Sequence, residues 1–160
     1  MKLINLAKLV ASLTLPLLVG FFGSLFTTAE SLNNWYANLN KPSFNPPDWI
    51  FGPVWATLYI MMGIAAFLVW RKGLDNKLVR LALLLFVIQL ALNALWTPLF
   101  FGLRSPLLGL IDIVLLLPAI VMTIVCFFKI FLWPALLLIP YLAWASFAAV
   151  LNASIYTLNR

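Results

Sequence analysis

The chain is 160 residues long, 65% apolar and 9% charged, with a mean hydropathy of +1.09. Soluble domains hold about half apolar and about a quarter charged residues, so this composition excludes a soluble fold and implies an integral membrane protein. The net charge of +6, which in a soluble chain would point to nucleic acid, follows membrane topology here and implies no nucleic-acid partner.

Charge-free runs cover Leu9–Ala29, Trp49–Trp70, Leu81–Leu103 and Ile130–Asn159, and Ser105–Phe128 is interrupted only by Asp112. Each reaches the roughly 20 residues that a helix rising 1.5 Å per residue needs to cross an apolar core of about 30 Å. The expectation is one all-α domain, a bundle of five transmembrane helices at about 5–27, 50–70, 79–102, 106–128 and 132–157, with a structured loop between the first two.

The first span follows Lys2 and Lys8 and precedes Thr27-x-Ala29, a pattern shared with signal peptides. Its apolar run exceeds the 7 to 15 residues of a typical h-region, so a retained helix is expected. Within it, Gly20 and Ser24 have the small-xxx-small spacing of close helix packing.

The segment from Trp35 to Trp55, WYANLNKPSFNPPDWIFGPVW, is the one long stretch that is not simple membrane helix; it holds three of the seven Trp and four of the ten Pro. Pro42, Pro46 and Pro47 fix φ and extend the residues before them, so the loop reads as a stiff cap over a cavity. The second helix is expected to start between Asp48, as N-cap, and Pro53 in its first turn. Trp55 and Tyr59 lie four apart on one face near the loop, as part of an interfacial aromatic belt or as a pocket wall.

After the basic turn from Arg71 to Arg80, Gln89, Asn93, Trp96 and Thr97 share one face of the third span. Amides at membrane depth need partners, so this face looks into the bundle, as interhelical glue or as a ligand surface. Ser105 and Pro106 form an N-cap and first-turn pair for the fourth span. Asp112 then falls about two turns inside, a candidate proton or polar site that is expected to meet an amide, a hydroxyl, water or a backbone group. In the fifth span Ala145, Ala149 and Ala153 form a packing stripe, and Trp144, Ala148 and Asn152 an adjacent stripe facing a pocket. Pro16, Pro98, Pro118 and Pro140 each free a backbone carbonyl, which favours a hollow bundle. Leu151, Tyr156 and Arg160 fit the weak sterol-recognition pattern L/V-x-Y-x-K/R, a candidate sterol motif.

Seven basic residues (Lys2, Lys8, Arg71, Lys72, Lys77, Arg80, Lys129) fall on the side of the N-terminus and three (Lys41, Arg104, Arg160) on the other. The positive-inside rule places the N-terminus in the cytoplasm for an inner-membrane protein. Cys126, alone, excludes an internal disulfide, and with no His the commonest metal and haem ligand is missing. No Ser/His/Asp or Cys/His set, paired carboxylates or Gly-rich phosphate loop is present, so conventional acid/base catalysis is not expected. What remains is an aromatic-walled cavity with a few amides and Tyr hydroxyls, suited to a large flat apolar ligand.

Three stretches, WYANLNKPSFNPPDWIFGPVWATLYIMMGIA, ALNALWTPLFFGL and PYLAWASFAAVLNASIYTLN, together resemble the TspO/MBR family: the tryptophan-rich sensory proteins of bacteria and the translocator proteins, or peripheral-type benzodiazepine receptors, of mitochondria. The resemblance implies a five-helix bundle, often a homodimer. Its first loop would cap a pocket for porphyrins, for benzodiazepine-type or isoquinoline-type ligands and, in some members, for sterols. By motif position Trp35 and Tyr36 match the loop aromatics, Trp55 the second-helix pocket Trp, Asn93 the third-helix amide, and Trp144 and Ala148 the fifth-helix wall. Tyr59, Gln89, Trp96, Phe147 and Asn152 complete the candidate ligand set. Gln89 departs from the Asn of some relatives, and the Tyr156 region is plainer than the sterol motif of animal members. No cofactor is required; a porphyrin would enter as ligand or substrate. Three roles are open: tetrapyrrole sensing or regulation, light- and oxygen-dependent porphyrin breakdown with Trp55 and Trp144 as redox-active candidates, and porphyrin or sterol transport.

Overall fold

A computed structural model describes residues 2–28 and 30–160; Ala29, at the end of the first apolar run, lies outside them. Its five long helices are α1 (Lys2–Ser24), α2 (Phe51–Trp70), α3 (Lys77–Thr97), α4 (Pro106–Ile130) and α5 (Leu132–Leu158). All five are long and apolar enough to cross a bilayer, and the chain is an all-α, multi-pass membrane bundle. Neighbouring pairs are α1–α2, α2–α5, α5–α4, α4–α3 and α3–α1, so the helices close a ring in the order 1-2-5-4-3.

Local chemistry accounts for most helix ends. Ser105 Oγ accepts from the Leu108 amide at 3.2 Å, with Pro106 in the first turn of α4. Asn76, not anticipated as a cap, accepts from the Leu78 amide at 2.9 Å and starts α3. Asp48, expected as the cap of α2, does not cap it. Pro47, with φ −57° and ψ 139°, takes the cap position, and a 3-10 turn over Asp48–Ile50 leads into α2. The Ile50 amide then bonds the Pro47 carbonyl at 3.0 Å, which leaves the Asp48 side chain no capping duty. The third helix changes form at Pro98, where a π-helical turn, Pro98–Gly102, extends it. Proline there supplies no N–H, and the Leu103 amide reaches back to the Pro98 carbonyl at 2.8 Å.

The charge asymmetry read from the sequence has a physical counterpart at the two ends of the ring. At one, Lys8 Nζ lies 5.8 Å from the Trp70 ring and Lys72 Nζ 4.7 Å from the Phe131 ring. At the other, the first loop is fastened to the helix ends. Glu30 and Arg104 form an ion pair at 2.9 Å, and Asn40 and Asn159 exchange side-chain-to-backbone hydrogen bonds, both at 2.9 Å.

Close approach between helices depends on glycine at a few points. A Cβ on Gly63 would stand 2.7 Å from the Ser12 carbonyl oxygen and 2.8 Å from Leu13 Cα, which marks the tight crossing of α1 and α2. A Cβ on Gly20 would meet the Tyr59 ring at 2.5 Å, so Gly20 serves close packing, as its spacing implies, but against a ring rather than a backbone. Ser24, its spacing partner, is exposed and bonds its own helix at the Phe21 carbonyl, 2.6 Å away.

Candidate ligand-binding cavity

A cavity of about 510 Å³ occupies the loop-end half of the ring, walled by all five helices and the first loop. That volume falls within the roughly 300–1,000 Å³ of sites that enclose drug-sized ligands.

Aromatic side chains make its walls. Trp55 stacks on Tyr59 at 5.5 Å with 28° between planes, and meets the edge of Tyr141 at 6.2 Å. Both contacts lie on the cavity side of α2, and Trp55 is part of the wall. The outward tryptophans are Trp49 and Trp133, exposed by 74% and 61% at opposite ends of the bundle. Trp96 lies flat on Phe100, one turn further along, at 5.0 Å and 16°. Trp144 and Ala148 complete the α5 side, with Trp144 edge-on to Phe51 at 5.9 Å.

The polar groups are mostly committed to one another. The Tyr59 hydroxyl donates to Asn93 Oδ1 at 2.8 Å, Asn93 Nδ2 donates to the Tyr141 hydroxyl at 3.3 Å, and Tyr141 donates to Gln89 Oε1 at 2.8 Å. This chain ties α2, α3 and α5 together beneath the cavity. Such a bond within a membrane is worth about 0.6 kcal/mol on average, so its larger effect is to orient the ring of Tyr59. Asn152 joins three helices: its Oδ1 accepts from Trp96 Nε1 at 3.1 Å and its Nδ2 donates to the Pro106 carbonyl at 2.7 Å. Trp144 differs, because its buried Nε1 has no hydrogen-bond partner among the described residues. Trp70 Nε1 is buried without a partner in the same way, so the feature is not peculiar to the cavity wall.

Of the residues singled out from the sequence, Tyr36, Trp55, Tyr59, Asn93, Trp96, Trp144, Ala148, Leu151 and Asn152 line the cavity. Trp35 stands behind the wall, edge-on to Phe100 at 5.4 Å and to Phe101 at 6.2 Å. Phe147 braces the lid, 5.4 Å from Trp144 and 6.3 Å from Phe44. Gln89 lies deeper, in the hydrogen-bonded chain. Asp112 is buried in α4 outside the wall, and its Oδ2 has no hydrogen-bond partner among the described residues. The deep hydroxyl of Tyr141 donates to Gln89 instead. Leu151 faces inward, while Tyr156 is half-buried and Arg160 is exposed beyond the end of α5. Ala145 of the packing stripe also borders the cavity, because the two stripes of α5 are only one residue apart.

Several wall and support residues went unrecognised in the sequence. Phe100 and Phe101 follow Pro98, where the π-turn carries them inward, and only the Trp96–Phe100 spacing hinted at a stack. Tyr141 shares the face of Ala145, Ala148 and Asn152, a signal hidden by the adjacent Pro140. Above the cavity the loop is ordered. Tyr36 closes a π-helical turn (Ser31–Tyr36), its hydroxyl donates to Asn45 Oδ1 at 3.2 Å, and Lys41 Nζ lies 4.1 Å from its ring centroid. Burial pushes the Tyr36 hydroxyl up to about 12 from its ordinary 10; the charge of Asp48 adds to the rise, and the hydrogen bond to Asn45 opposes it.

Fold and cavity together define a class: a five-helix membrane protein with an aromatic internal cavity beneath a stiff, fastened loop. The sequence matches the TspO/MBR family over residues 12–158, and the chain belongs to that family. It is 48% identical over 155 residues to the tryptophan-rich protein TspO of Archaeoglobus fulgidus, covering 97% of this chain and 99% of that one. It is 44% identical over 147 residues to the translocator protein of Homo sapiens, covering 91% and 86%. To the tryptophan-rich sensory protein of Cereibacter sphaeroides it is 38% identical over 139 residues, covering 86% and 85%.

Proposed function

We propose that this protein binds porphyrins, protoporphyrin IX foremost, and related flat hydrophobic ligands in the cavity beneath the first loop, and acts in tetrapyrrole sensing or regulation. The observation that carries this reading is the cavity of about 510 Å³ with Trp55, Trp96 and Trp144 in its wall. A flat macrocycle gains affinity there by burial and by stacking or edge contacts with indole and phenyl rings. The Trp144 ring adds apolar area to that wall, while its buried Nε1 is turned away from open space. Benzodiazepine-type and isoquinoline-type ligands share the flat aromatic chemistry and fit the same reading.

Titration with protoporphyrin IX tests it. Binding should quench tryptophan emission saturably at one site per chain, and Trp55→Phe with Trp144→Phe should weaken it. Unquenched emission, or identical curves for wild type and double variant, would sink the reading.

A second reading draws on a specific contact. Trp55 stacked on Tyr59 sets two oxidisable rings against the cavity, and Asn93 links Tyr59 to Tyr141 behind them. Light- and oxygen-dependent breakdown of bound porphyrin would use them as electron donors. Loss of the porphyrin band under illumination at the rate of free porphyrin, or equally fast in the double Trp variant, counts against it. The gathering of basic residues at one end supports a cytoplasmic N-terminus; cysteine labelling from each side checks it.

A further inference from the structure

We propose that the cavity opens sideways into the bilayer, through a mouth between the C-terminal half of α1 and the N-terminal half of α2, and that ligands enter from the hydrocarbon rather than past the loop. The choice of porphyrin as probe rests on the function proposed above; the mouth itself does not.

Residues that both line the cavity and face outward mark the rim of an opening. Nearest the loop they are Ser24 and Asp48; below these come Leu17 and Phe21 on α1, exposed by 42% and 64%, paired with Gly52 and Ala56, also exposed, on α2. Leu17 with Phe21, and Gly52 with Ala56, are spaced by four, so each set forms one edge along its helix. A Cβ on Gly52 would meet nothing within 4 Å, so no α1 side chain stands opposite it. Further down, the two helices touch hard, with the Gly63 position 2.7 Å from the Ser12 carbonyl. Toward the loop they meet again through a side chain, the Tyr59 ring against Gly20.

The loop lies over the aqueous end of the cavity, where Leu32 and Tyr36 line it. The loop is fastened by the Glu30–Arg104 ion pair at 2.9 Å, by the Asn40–Asn159 exchange, and by the Tyr36–Asn45 bond at 3.2 Å. From Ser24 down to Leu17 the mouth runs about 10 Å along the span, within reach of acyl chains. Its lower edge is apolar and only the top carries polar groups, Ser24 and Asp48. The ligand class this admits is an amphiphile already dissolved in the bilayer, entering ring-first with its polar edge toward the loop.

The test begins without any porphyrin. Trp55 faces inward, against Tyr59 and Tyr141, so lipids with brominated acyl chains can quench it only through the mouth. Its emission, taken as wild type minus Trp55→Phe in proteoliposomes, should be strongly quenched, and Gly52→Phe with Ala56→Phe should protect it. In a second arm, the same double variant should slow both entry and exit of protoporphyrin IX by about tenfold, while Asn159→Ala, which loosens the loop, leaves both rates unchanged. Trp55 emission untouched by brominated lipid overturns the proposal. So does a loop variant that speeds exchange while the filled mouth does not slow it. If wild type takes up no porphyrin yet Trp55 is quenched by lipid, the mouth stands and the porphyrin reading falls.

Discussion

Replacing Gly20 with alanine sets two effects of opposite sign against each other. In an exposed helix interior, alanine is better than glycine by about 1 kcal/mol, so without tertiary contact the variant should be more stable. Here the added Cβ would stand 2.5 Å from Tyr59 Cε2, where carbon atoms prefer about 3.5–4.0 Å, so the ring must retreat by roughly 1 Å. Tyr59 donates to Asn93 at 2.8 Å, and a retreat of that size lengthens the bond past hydrogen-bonding range. The loss combines overpacking, about 1–3 kcal/mol, with a membrane hydrogen bond of about 0.6 kcal/mol, and outweighs the helix-propensity gain. The net expectation is destabilisation by about 1–2 kcal/mol, and, because Trp55 stacks on Tyr59, roughly tenfold weaker ligand binding. Reversible unfolding in mixed detergent micelles reads the first quantity and fluorescence titration the second. In a Tyr59→Leu background the clash is gone and Gly20→Ala should become neutral or stabilising. A Gly20→Ala variant as stable as wild type in both backgrounds would refute the contact and the sign argument built on it.

Other outcomes follow from the polar groups. Tyr141→Phe leaves Gln89 Oε1 and Asn93 Nδ2 short of a partner and should cost about 1–3 kcal/mol in the same unfolding assay, with helix content retained. For Tyr36, whose hydroxyl is raised to about 12, the neutral form is favoured in the folded loop. Its contribution is full below pH about 10 and is lost as pH rises through about 12. Proteolysis of the loop should therefore accelerate over that window in wild type, and Tyr36→Phe should flatten the rise. Asp48 lies on the cavity rim and is its only charged lining group among the described residues. Asp48→Asn should tighten binding of a dianionic porphyrin a few-fold at low salt and leave its dimethyl ester unaffected.

The architecture was legible because bilayer thickness demands long apolar runs, and the chain is little else. The five spans fall within a few residues of α1 to α5, and Ser105 with Pro106 marks the start of α4 as their chemistry implies. Asp48 misled because a cap is a backbone conformation as much as a residue type. Pro47 held that conformation one position earlier, and Asn76 capped α3 in a basic turn where charge drew attention first. In the cavity, residues on regular helix faces were readable: Trp55 with Tyr59, and Trp144 with Ala148 and Asn152. Phe100 and Phe101 were not, because a π-turn shifts their angle from the helical period. Nor does periodicity report which hydroxyl meets which amide. Gln89 and Asn93 look alike on one face of α3, yet Asn93 reaches the cavity wall and Gln89 ends a buried hydrogen-bonded chain.

The central claim is that a flat hydrophobic ligand occupies the space beneath the loop, and filling that space tests it most directly. Ala148 lines the cavity on α5, and tryptophan there would take up much of the room. Protoporphyrin IX binding to Ala148→Trp, measured by absorbance in bilayers, should weaken by at least about thirtyfold while helix content and unfolding midpoint stay near those of wild type. Binding of wild-type strength to the filled variant would contradict the account.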